Sequence, residues 1–207
     1  MLKVIVVDDH PVVRMGIIYL LEGEGYTIVA ETGDGLEALE MVNKYHPDIV
    51  LMDIDINSLN GLEVIKILRD RMFLGIIIVI SSKNMDFYAA QSSHCGADGF
   101  VSKQNDLSGI ITAIKVAQGG YGYFPLKQTN GQGSDVDAED TDRLRRLSAQ
   151  EFEVFQQLIT GEENKEIALK MGISNKTVST YKVRMMRKLG CKNMCELFDF
   201  ARRTHIG

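Results

Sequence analysis

The 207-residue sequence is poor in cysteine and has no long apolar run. Its three cysteines, Cys95, Cys191 and Cys195, form no CxxC pair and no Cys/His ligand pattern. So sparse and odd a set excludes a disulfide framework and reads as free thiols in a reducing cytoplasm. The longest apolar runs, such as Ile76 to Ile80, fall far short of the roughly 20 residues that span a bilayer. The N-terminal apolar stretch ends in Asp8 and Asp9 with no small-residue cleavage site, so a secretory signal is excluded as well. A cytoplasmic protein without a membrane partner is the expectation.

What is present divides by charge. The net charge of −5 conceals −7 over residues 1–121, −3 over 122–143 and +5 over 144–207. An acidic front and a basic back mean that only the back is suited to a polyanion, although surface charge alone could also arise without function.

Residues 1–121 alternate between two textures. Short β-branched runs fall at 3–7, 26–30, 49–52, 76–81 and 99–101, and helical patterns at 12–21, 35–45, 61–71, 86–95 and 107–118. Apolar strands alternating with amphipathic helices give an α/β fold, a (βα)5 doubly wound parallel sheet. Residues 122–146 read as a flexible linker, because 127–142 is rich in Gly, Gln, Asn, Ser and Asp and has little to bury. From 147 to 207 every apolar pattern is helical, with segments expected at 149–160, 164–171, 176–189 and 194–203. Ser148 and Glu151 form a capping box before the first of these.

Three carboxylates sit at strand ends: Asp8 and Asp9 after the first strand, Asp53 after the third. With strand order 2-1-3-4-5 the first and third strands are neighbours, so these acids converge at one edge. Their mutual repulsion calls for a divalent cation with oxygen ligands, Mg²⁺ or Mn²⁺, and leaves one carboxylate free to act as a nucleophile. Ser81 ends the fourth strand and Lys103 follows the fifth. A hydroxyl and an ammonium there would grip the oxygens of a transferred phosphoryl group. Singly, each of these residues is an ordinary helix cap or solvated charge; their joint placement is the signal.

In the basic segment, Asn164 and Lys165 open one helix, Gly172 marks a tight turn, and a second helix follows. Val178, Met185 and Leu189 share one face of that second helix. Lys176, Thr177, Ser179, Thr180, Lys182, Val183, Arg184 and Arg187 spread over the rest. A helix-turn-helix of this kind can enter a major groove, with hydroxyls and basic groups meeting phosphates or base edges. The same residues also suit a plain solvated face.

The motifs Val-Asp-Asp-His-Pro (7–11), Pro-Asp-Ile-Val-Leu-Met-Asp (47–53), Asn-Gly-Leu-Glu (60–63), Ser81 and Gly-Ala-Asp-Gly-Phe-Val-Ser-Lys (96–103) resemble the receiver domain of two-component response regulators. Residues 147–207 resemble the four-helix LuxR-type domain of the NarL/FixJ subgroup, and Ser-Asn-Lys-Thr-Val-Ser-Thr-Tyr-Lys (174–182) is most similar to BvgA/EvgA-like virulence regulators. The resemblance implies that Asp53 accepts a phosphoryl group from a sensor histidine kinase. It implies that Asp8, Asp53 and the Asp55 carbonyl hold Mg²⁺, with Asp9 acting through water. Ser81 and Lys103 then bind the phosphoryl group, and Phe100 turns inward as Ser81 moves. It further implies a homodimer on double-stranded DNA, paired through Met194, Leu197, Phe198 and Ala201, with RNA polymerase a possible further contact. The chain departs from the family at Ile56-Asn57, where Met-Pro is common, at Ser82, where alanine is common, and at Gln104. Ser82 and Asp55 would crowd the path of attacking water. Two other readings follow from the same residues: a haloacid-dehalogenase-type phosphatase built on Asp53 and Asp55, which the early position of Asp8-Asp9 opposes, and a DNA-binding regulator indifferent to phosphorylation, which the complete acidic set opposes.

Overall fold

The structure is a computed structural model that describes residues 1–104, 107–125, 138–204 and 206. The chain forms two compact units, Met1–Lys127 and Gln128–Gly207.

In the first unit five strands, β1 (Lys3–Val7), β2 (Thr27–Thr32), β3 (Ile49–Asp53), β4 (Ile76–Ser81) and β5 (Gly99–Ser102), alternate with helices α1 (Pro11–Gly23), α2 (Gly35–Tyr45), α3 (Gly61–Asp70), α4 (Met85–His94) and α5 (Gly109–Gln118). The sheet runs β2-β1-β3-β4-β5, and every pairing is parallel. Parallel strands covered on both faces have nothing polar to show water. Accordingly Val4–Val7, Ile49–Met52 and Ile77–Ile80 are buried without alternation. The fold class read from the sequence is the one observed. Boundaries shift by a residue or two: β2 starts at Thr27 and β3 takes in Asp53 itself.

The linker reading needs correction at both ends. Tyr123 bridges to Gly99, and the Phe100 amide donates to its carbonyl at 2.7 Å, so residues beyond 121 lie along β5. At the other end α6 (Ala138–Arg145) is helical. Its sequence carries no apolar face to announce it; charge holds it instead. Arg143 pairs with Glu139 one turn back at 2.7 Å, and the buried Asp140 carboxylate receives Arg203 at 2.9 Å. The middle of the expected linker, residues 126–137, lies outside the described residues, so its expected flexibility is neither supported nor opposed.

The second unit continues with α7 (Ala149–Ile159), α8 (Asn164–Lys170), α9 (Asn175–Leu189) and α10 (Met194–Arg203). The expected capping box opens α7: Glu151 N donates to Ser148 Oγ at 3.2 Å and Ser148 N to Glu151 Oε2 at 2.8 Å. Phe152, Phe155 and Phe200 form the aromatic centre of the core, joined by Val178, Met185 and Leu189 from α9.

Candidate functional site

In a parallel sheet all strands end on one edge, and loops there make sites. β1 delivers Asp8, β3 ends on Asp53, β4 ends on Ser81, and Lys103 follows β5. Asp8 and Asp53 are nearly inaccessible to solvent. Lys103 Nζ lies 2.7 Å from Asp53 Oδ2 and 2.7 Å from Asp8 Oδ2, bridging the two acids. The other Asp53 oxygen accepts from the Ile54 amide at 2.6 Å. Asp53 needs a close approach by α3, since a Cβ on Gly61 would stand 2.0 Å from the Asp53 carbonyl oxygen; glycine is required there.

Burial raises the Asp53 pKa; the Lys103 hydrogen bond and charge pull it back and the Asp8 charge lifts it again, leaving it at about 6. For Lys103 burial acts downward, but contacts with Asp53 and Asp8 outweigh it and raise its pKa. The ammonium is thus held charged between two carboxylates.

The remaining expected residues surround this bridge in different states. Asp9 is partly exposed; its Oδ1 lies 2.5 Å from His10 Nδ1. Asp55 pairs with Lys83 at 2.7 Å and stays half open to solvent. Ser81 is fully buried, its hydroxyl accepting from the Lys83 amide at 3.1 Å. Ser82 is exposed, and its carbonyl accepts from Gln104 Nε2 at 3.1 Å. Phe100 is buried. Asp8, Asp9, His10 and Asp53 form a group that could hold a metal ion. The donors fit a hard divalent cation: three carboxylates, two of them buried, face one ammonium.

Three residues near the site went unread in the sequence. Arg14 donates to the Asp8 carbonyl at 2.6 Å and is itself held by Glu31 at 2.7 Å. Lys83 covers Asp55, and His10 faces the acidic pair. His10 adjoins the acids in sequence and was open to notice; Arg14 and Lys83 carried no local signal.

In the second unit α9 is a regular amphipathic helix. Ser174 caps it through the Thr177 amide at 3.1 Å, and Gly190 ends it at φ 74°. Val178, Met185 and Leu189 face inward. Lys176, Ser179, Thr180, Val183, Arg184 and Arg187 are exposed, and Thr177 and Lys182 partly so. Asn164 Nδ2 donates to Ser179 Oγ at 3.3 Å, fixing the start of α8 against α9, while Lys165 beside it is exposed.

Residues 4–115 match the response regulator receiver domain, and residues 145–201 match the luxR family of bacterial regulatory proteins. The chain is a response regulator of the LuxR family. It is 44% identical over 206 residues to the DNA-binding transcriptional activator EvgA of Escherichia coli K12, covering all of both chains. It is 37% identical over 205 residues to the Bordetella pertussis virulence regulator BvgA, covering 99% of this chain and 98% of that one. Among solved structures it resembles RcsB of Salmonella enterica serovar Typhimurium bound to promoter rprA with the phosphomimetic BeF3⁻. There the TM-score is 0.65 at 27% identity, over 98% of this chain and 99% of that one.

Within this receiver the acidic edge of Asp8, Asp9 and Asp53 is present, and one loop differs from the family pattern. Where the family has Met-Pro, Ile56-Asn57 stands, and the turn is set by hydrogen bonds instead of a proline ring. Asn57 N donates to Gly33 O at 3.1 Å, Gly35 N to Asn57 O at 3.0 Å, and Ser58 Oγ to Asp34. The β2–α2 loop thereby restrains this turn.

The dimer residues of α10 need correction. Leu197 and Ala201 are buried in the domain's own core beside Phe200, so neither is available to a second chain. Met194 remains partly exposed and Phe198 exposed on the outer face.

Proposed function

We propose that the receiver, assigned to residues 1–121, is phosphorylated on Asp53 by a sensor histidine kinase. This state then promotes homodimer formation and DNA binding by the module at 147–207. The observation that carries this reading is the Lys103 ammonium seated 2.7 Å from both Asp53 and Asp8. An Asp53 oxygen attacks phosphorus, the P–N bond of a phosphohistidine breaks, and the released imidazole keeps the electron pair and takes up a proton. Lys103 already touches the attacking carboxylate and is placed to hold the new phosphoryl oxygens, with Ser81 at the adjoining strand end. When bound by Asp8, Asp53, the Asp55 carbonyl and, through water, Asp9, Mg²⁺ supplies neutralisation of the charge that builds on those oxygens. Ser81 and Phe100, both buried, must move together for the state to be sensed elsewhere in the receiver.

On α9 the exposed Lys176, Arg184 and Arg187, with Lys165 from α8, supply phosphate contacts. Thr177, Ser179 and Thr180 supply hydroxyls, and the exposed Val183 suits a thymine methyl. Met194 and Phe198 are the residues we assign to pairing of two such modules over half-sites. The protein acts as a switch, not as a turnover enzyme.

Incubation with acetyl phosphate and Mg²⁺ tests the reading. An acid-stable, alkali-labile phosphoryl adduct on the wild type, absent in Asp53→Asn, is expected. Rapid turnover of phosphomonoesters without a lasting adduct would contradict it.

A further inference from the structure

Two hydroxyls on the outer face of α9 are bonded back onto their own helix. Thr180 Oγ1 donates to the Lys176 carbonyl at 3.0 Å, and Ser179 Oγ donates to the Asn175 carbonyl at 3.0 Å. A carbonyl brings no hydrogen, so each hydroxyl proton is spent on the backbone one turn earlier. Ser179 also accepts from Asn164 Nδ2 at 3.3 Å, which occupies part of its remaining capacity. Thr180 keeps its lone pairs for an outside group, and it meets that group as an acceptor.

Val183 stands beside it. At about 3.6 residues per turn, Thr180 and Val183 are neighbours on the face opposite the buried Met185 and Leu189. Val183 is 69% exposed, and the exposed Lys176, Arg184 and Arg187 share its face. A single exposed apolar residue is ordinary; one set amid a basic face, next to an oriented hydroxyl, forms a pattern. The two residues are about 4.5 Å apart along the helix, and successive bases about 3.4 Å apart along a strand, a match that suits adjacent base pairs. In the major groove the donors are the amino groups of adenine and cytosine. Guanine offers acceptors alone, and thymine an acceptor and a methyl.

We infer that Thr180 and Val183 set part of the DNA sequence this protein selects. Thr180 accepts from the amino group of an adenine or cytosine, and Val183 packs on the methyl of a thymine in the adjacent base pair. The inference rests on the reading of α9 as the helix that meets DNA. It excludes guanine as the base read by Thr180, because two acceptors cannot bond. Lys176, Arg184 and Arg187 then hold the register through phosphates, and the small pair between them carries the discrimination.

The test uses the full chain and a DNA fragment that it selects from a random pool, with single groups then deleted from the fragment one at a time. Purine in place of adenine, or a pyrimidinone lacking the amino group in place of cytosine, removes one donor. Uracil in place of thymine removes one methyl. One amino deletion should weaken the wild type about fivefold more than it weakens Thr180→Val, the worth of one hydrogen bond. In the adjacent base pair, one methyl deletion should weaken the wild type about fourfold more than it weakens Val183→Ala. Reading wild type and variant on the same fragment cancels any loss of base pairing. If every amino deletion, or every methyl deletion, costs wild type and variant alike within about twofold, while Arg184→Ala still weakens binding, the inference alone is overturned. If Thr180→Val, Val183→Ala and Arg184→Ala all bind the fragment as the wild type does, α9 does not face DNA, and the reading on which the inference stands falls with it.

Discussion

Asp8, Asp53 and Lys103 carry their charges nearly out of reach of water, whereas Lys176, Arg184 and Arg187 of α9 stand open to it. The contrast separates two uses of charge. In the receiver, water is excluded, so each group depends on its neighbour and the Asp53 carboxylate is shifted from its ordinary pKa. On α9 the charges are open to water, where, on the reading proposed above, they would displace counterions from a polyanion. Change in the first region should therefore disturb stability and chemistry together; change in the second should disturb binding alone.

The largest effect is expected from Lys103→Ala. Removing one member of a buried charge set leaves Asp8 and Asp53 uncompensated, at a cost of about 3–5 kcal/mol. Urea unfolding of the receiver at neutral pH without metal measures it. A loss below about 1 kcal/mol would mean that the bridge is solvated and the contrast false.

The pH dependence is next. Asp53 has a folded pKa of about 6 against an ordinary value of 3.8, so between these values the folded chain binds the proton more tightly. Stability of the metal-free protein therefore falls as pH rises from about 4 to about 6, by at most about 3 kcal/mol. Asp53→Asn should flatten that fall, and added Mg²⁺ should restore stability at neutral pH. A wild-type profile that rises across this window would contradict the burial account.

The smallest effect on stability, within about 0.5 kcal/mol, is expected for Arg184→Ala. DNA affinity should nonetheless drop across sequences, with the salt slope reduced by about 1. An unchanged slope would remove Arg184 from the phosphate contacts.

Much of this was legible in the sequence because it rests on local pattern. Unbroken β-branched runs name a covered parallel sheet, and strand ends then assign Asp8, Asp53, Ser81 and Lys103 to one edge. The Ser148–Glu151 capping box is equally local and appears as read. What escaped depends on partners distant in sequence. α6 has no apolar face and is held through Arg203, 63 residues away from Asp140. Arg14 reaches the Asp8 carbonyl only because α1 packs back on β1. On α10, helical spacing alone could not tell an outward Phe198 from an inward Leu197; the position of the core decided it.

The central claim is that phosphorylation of Asp53 governs the basic helix. It is tested most directly by measuring affinity of the full chain for selected DNA fragments, together with oligomeric state, before and after acetyl phosphate with Mg²⁺. Tighter binding and dimer formation in the wild type, with no response in Asp53→Asn, is the predicted result. Equal affinity and equal oligomeric state in both conditions would contradict it.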